Sequence, residues 1–125
     1  MKKITVKKLK HEHIEVLQQE LKHFSYYTAV TSLRTDFLNA ITALDIAATL
    51  HYVLRNKIEQ DKKLYTIGFS LTQAAIILKC CNYKRLERDD YVRNVMTSLV
   101  LIIDPQLISV INNREYTQST GNYIM

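Results

Sequence analysis

From Leu33 to Ile58 the chain reads LRTDFLNAITALDIAATLHYVLRNKI, 26 residues with neither glycine nor proline. Apolar side chains return at Leu33, Phe37, Ile41, Leu44, Ala48, Tyr52 and Ile58, and Ala40, Ala47 and Leu54 widen the row. Steps of mostly three and four place such residues on one side of an α-helix. Arg34, Asp36, Asn39, Asp45, Arg55, Lys57 and Glu59 fall on the other side, where water satisfies them. So long a rod with so broad an apolar stripe needs several partners. It is predicted to be the central helix of a bundle.

The rest of the chain agrees with a helical class. Two glycines and one proline in 125 residues are too few for a hairpin-rich β fold, whose tight turns call repeatedly for positive φ. Gly68 and Gly121 stand alone, so no glycine-rich loop is available to cradle a phosphate. The expected fold is all-α: four to five helices around a long central one, with a minor two-stranded β element. The length suits one domain that removes about two thirds of its unfolded surface from water. Residues 1–114 are assigned to it, opening with a basic arm at 1–10, and 115–125 read as a flexible tail. The longest apolar run, Leu99 to Ile103, is far short of the ~20 residues that cross a bilayer, and MKKITVKKLK is not followed by a signal-type apolar segment. A cytoplasmic protein without membrane contact is the expectation.

Taken in order, Ile4-Thr5-Val6 favour a short strand over 4–9, and the recurrence of Ile14, Leu17, Leu21 and Phe24 predicts a helix over about 10–24. Thr28 to Ser32 then form the connection, and Thr31, Ser32 or Thr35 caps the central helix. After the charged run EQDKK, residues 64–70 (LYTIGFS) read as a second strand ending on Ser70, the N-cap of a helix over 71–82. Laid on each other, Ile4–Leu17 and Tyr65–Leu78 match Thr5 with Thr66 and Val6 with Ile67, which hints at a repeated strand–helix unit. Two short strands with unmet backbone groups are expected to pair. Asn82 to Arg88 form a polar connection, Asp89 or Asp90 caps a fourth helix, and Asp104-Pro105 ends it and starts a fifth.

The chemistry is mostly negative. His11 and His13 would face ~200° apart on a helix and cannot share a metal. Glu20-Leu-Lys-His23 has the Glu-x-x-His spacing of carboxylate-bridged di-iron bundles, but no second such pair exists in the chain. Cys80 and Cys81 are adjacent, without the spacing of a metal site or a disulfide framework, and are expected reduced and structural. No catalytic, cofactor or metal residue is assigned, and the protein is expected not to be an enzyme.

Two binding classes remain. The net charge of +5 resides in the first ten residues, where Lys2, Lys3, Lys7, Lys8 and Lys10 have no acid among them. With Tyr83, Lys84, Arg85, Arg88 and Arg93 these are the candidate nucleic-acid contacts of a small DNA-associated regulator. SLTQAAIILKCC, which resembles the opening of a helix-turn-helix, points the same way. The favoured class is a protein acting through protein–protein contacts, as a homo-oligomer. The later helices carry more apolar surface than so short a chain can bury.

Overall fold

The structure, a computed structural model, describes residues 3–83, 85 and 87–112. Four helices and a two-stranded sheet follow the order β1 (Ile4–Leu9), α1 (His11–Ser32), α2 (Phe37–Ile58), β2 (Tyr65–Phe69), α3 (Leu71–Asn82) and α4 (Asp90–Ile111). The chain is mainly helical, as its residue pattern implies, with the expected small sheet beside the helices.

β1 and β2 pair antiparallel, with Ile4 opposite Phe69, Thr5 opposite Gly68 and Val6 opposite Ile67. The register then slips, because Leu9 sits opposite Tyr65. Lys7 and Lys8 therefore oppose Thr66 alone, a β-bulge with Lys8 at φ 60°. A strict alternation would send Leu9 to the face opposite Val6. The bulge restores it, and Ile4, Val6 and Leu9 are all buried while Lys7 and Lys8 stay in water. The segment read as a basic arm is thus a strand with a buried side. The amide of Gln106 guards its outer edge: Thr5 N–H donates to Gln106 Oε1 (2.9 Å) and Gln106 Nε2 donates to the Thr5 carbonyl (2.8 Å). One side chain there does the work of a neighbouring strand.

Local signals account for two helix starts. Ser70 and Gln73 form a capping box: Ser70 Oγ accepts from Gln73 N–H (3.2 Å) and Gln73 Oε1 accepts from Ser70 N–H (2.9 Å). Asp89 caps α4 by accepting from Val92 N–H (2.8 Å).

The helix boundaries differ from expectation in three places. α1 continues eight residues beyond Phe24, since Thr28 extends the buried row of Ile14, Leu17, Leu21 and Phe24 and no breaker intervenes. The turn falls at 33–36 instead, and α2 begins only at Phe37, after Asp36. No fifth helix begins at Pro105. α4 runs through it, with Leu101 and Pro105 both on the solvent side, where water can reach the carbonyl that the missing N–H leaves unpaired.

α1 and α2 form an antiparallel hairpin, and α2 also packs on α3. α4 lies on the other flank against α3, β1 and α1. The core between them holds Tyr65, Phe69, Leu17, Leu21, Leu50, Leu54, Ile77 and Met96. Tyr65 is 1% exposed, and its hydroxyl stays satisfied by donating to the Ile58 carbonyl (3.3 Å) and accepting from Lys62 N–H (3.1 Å).

Candidate interaction surface

α2 carries two apolar rows about 120° apart around its axis. Ala40, Ala43, Ala47, Leu50 and Leu54 form the row that faces the core. Alanine has almost no side chain to interpose, so α1 and α3 can approach the α2 backbone closely. The second row, Phe37, Ile41, Leu44, Ala48 and Tyr52, looks away from the core. Phe37 is 63% exposed, Ile41 42% and Tyr52 66%, and Leu38 beside them 73%. This corrects the sequence reading, which placed Phe37 and Ile41 against neighbouring helices. The rod exists, but its largest apolar residues point into solvent. Leu44, Ala48 and Tyr52 also line a groove of about 420 Å³ between α1 and α2, with Lys22 and Ser25 opposite.

α4 is also incompletely covered. Leu101, Ile108 and Ile111 are exposed in its last three turns, while Asn94, Thr97 and Ser98 make the first half of that side polar. Both flanking helices are long and apolar enough to cross a membrane, with mean hydropathy of 1.4 for α2 and 1.6 for α4 over 18 residues. Those windows are only 28% and 33% buried. Scanning for unbroken apolar runs misses them, because Asn39, Thr42, Asp45 and Thr49 interrupt the one and Asn94, Thr97, Ser98 and Asp104 the other.

The basic residues singled out in the sequence do not form one surface. Lys3, Lys7, Lys8 and Lys10 stand exposed along β1 and its end. Arg88 is only 9% exposed and turned inward. Its Nε donates to Glu20 Oε1, its Nη1 to the Cys81 carbonyl (2.9 Å) and its Nη2 to the Cys80 carbonyl (2.7 Å). Arg85 donates to the other oxygen of Glu20, which is 2% exposed. Arg93 pairs with Asp90 at 2.7 Å on the helix surface. Tyr83 lies half-buried against Phe24 and Tyr27, with ring centroids 5.5 and 5.1 Å away, and below the Arg88 guanidinium. Lys2 and Lys84 lie outside the described residues.

The cluster around Glu20 is therefore a lock. The last carbonyls of α3 have no partner within the helix and carry the negative end of its dipole. Arg88 supplies donors and charge together, and Glu20 ties that cap to the middle of α1. Sequence reasoning weighs this acid only as half of a Glu-x-x-His pair and misses its structural role, although it interrupts an apolar row with Leu17 three residues before it and Phe24 four after. That position was the available signal.

The remaining reactive side chains are quiet. Burial pushes the Cys80 thiol up and the Cys81 thiol up to about 12, so neither is a thiolate near neutral pH. Both are free thiols. His51 lies between α1 and α2 with its pKa lowered by burial, then by Lys22 and Arg55. His11 Nε2 lies 3.3 Å from Glu15 on the helix surface, and His13 Nδ1 accepts from Lys10 N–H. Among the described residues no three metal-ligating side chains converge.

Searches against protein-family models, characterised proteins and solved structures return no significant match.

Proposed function

We propose that the protein acts through protein–protein contacts, above all with a second copy of itself, as a small cytoplasmic homodimer with no catalytic chemistry of its own. The outer row of α2 carries this reading. A monomer rarely leaves a bulky apolar row exposed along the length of a helix, and such patches mark association sites. Exposed tyrosines add weight, since Tyr26 (74%), Tyr27 (47%) and Tyr52 (66%) combine an apolar body with a polar tip, as contact residues do. Light scattering across a wide concentration range tests the proposal. The expected result is a mass twice the 14.6 kDa of the chain. A strict monomer at high concentration removes it.

A second reading, a small DNA-associated regulator, is favoured by one observation. Lys3, Lys7, Lys8 and Lys10 are exposed on one short segment and none joins an ion pair among the described residues. Arg88, Arg85 and Arg93 add little to it, being engaged with Glu20 and Asp90. Failure to bind a heparin or DNA column at low salt counts against this reading.

A further inference from the structure

We infer that the second copy docks α2 against α2 in an antiparallel, two-fold symmetric pair centred between Leu44 and Asp45. This inference rests on the self-association proposed above and adds where and how the copies meet. The row Phe37, Ile41, Leu44, Ala48, Tyr52 carries an aromatic at each end and a large and a small residue at its inner positions. Running one copy antiparallel to another about that centre sets Phe37 against the partner's Tyr52 and Ile41 against the partner's Ala48. The two Leu44 side chains meet beside the axis. A large residue faces a small one at the inner positions, and two aromatics meet at each end. An isologous contact of this kind needs only one patch and closes on itself.

The exposed row approaches the area that a specific interface needs. Scaling the exposures of Phe37, Leu38, Ile41 and Tyr52 by ordinary side-chain areas gives roughly 450 Å² per copy, about 900 Å² for the pair, before Leu44, Ala48 and the flanks are counted. Specific interfaces begin near 1,000–1,200 Å². α4 offers less, since its exposed bulky residues, Tyr91 in the first turn and Leu101, Ile102, Ile108 and Ile111 in the last three, are separated by the polar Asn94, Thr97 and Ser98. A lipid surface suits α2 poorly as well. Lys22 and Arg55 line the groove at one end of the row, but the acidic Asp45 borders its middle, where a helix lying on a membrane would carry lysine or arginine.

The geometry makes Asp45 diagnostic, because the axis brings the two copies of this carboxylate near each other. In a Cys81→Ser background, Asp45→Cys is expected to cross-link to its counterpart through a short bismaleimide, while Thr97→Cys on the outer side of α4 does not. Asp45→Asn is expected to tighten the dimer, and Ile41→Glu to raise its dissociation constant by about 30-fold or more without unfolding the monomer. If light scattering shows a dimer that cross-links through Thr97→Cys and not Asp45→Cys, the α2 pairing is overturned while self-association stands. If the chain is a monomer that binds vesicles of phosphatidylcholine and phosphatidylglycerol, both are overturned and the row is a membrane-contact face.

Discussion

The lock at the end of α3 and the outer row of α2 both reverse the usual partition of a folded chain, in opposite senses. Around Glu20, three charged side chains are drawn largely out of water. Along α2, large apolar ones are left in it. Burying charge is costly unless the groups are paired, and here both carboxylate oxygens take a guanidinium while each terminal nitrogen of Arg88 donates to an α3 carbonyl. Among the described residues no buried side-chain nitrogen or oxygen lacks a partner. The interior inversion is finished within one chain. The surface inversion is not, and nothing in the described part of the chain covers Phe37, Leu38 or Tyr52. One region holds the fold together, and the other leaves apolar surface uncovered.

This contrast predicts where mutations hurt. Glu20→Ala leaves two guanidinium groups without their carboxylate, Arg88 deep inside. It is expected to cost about 3–5 kcal/mol in urea unfolding, the largest effect for a single charge in the chain. A loss below about 1 kcal/mol would mean that the pair is effectively solvated and is not a lock. Next, the two rows of α2 should separate cleanly. Leu50→Ala, on the inner row at 0% exposure, is expected to lose about 2–5 kcal/mol. Ile41→Ala should change the stability of the dilute monomer by no more than about 0.5 kcal/mol. Equal losses would erase the distinction between inner and outer row.

The smallest effect is a pH dependence. Burial and the cations Lys22 and Arg55 depress the folded-state pKa of His51 below its ordinary 6.5, and His11, Glu15 and Glu59 line the neighbouring hollow with Lys22 and Arg55. The folded state therefore disfavours the imidazolium. The stability that neutral His51 contributes is present above pH 6.5 and is lost as the pH falls toward the lower folded value. His51→Gln should flatten the stability profile between pH 7 and 5. An unchanged slope would assign that pH dependence to other groups.

What could be read from the sequence was whatever local chemistry decides. Ile-Thr-Val and Tyr-Thr-Ile pair as strands, with Val6 opposite Ile67, and Ser70 and Asp89 cap the helices they precede. Long-range geometry was harder. Periodicity finds a helix but cannot choose between two apolar rows on it, and the bulkier row reads as the core. Side-chain size was the missing argument, because alanines admit a neighbouring helix closely and Phe37 or Tyr52 would hold it off. Pro105 reads as a stop because the sequence does not reveal which side of the helix faces water. The Glu20 lock joins residues more than sixty positions apart, and only the acid's place in an apolar row gave any hint of it. The basic residues at 85 and 88 looked free for the same reason.

Thiol labelling of two α2 variants, Ile41→Cys and Ala43→Cys, each with Cys81→Ser, tests the placement of the two rows most directly. In dilute solution Ile41→Cys should react nearly as fast as a free cysteine and Ala43→Cys only on unfolding. As protein concentration rises, the first should slow while the second stays unchanged. Comparable labelling of the two in dilute protein, or faster labelling at position 43, would contradict the orientation of α2 on which the association surface depends.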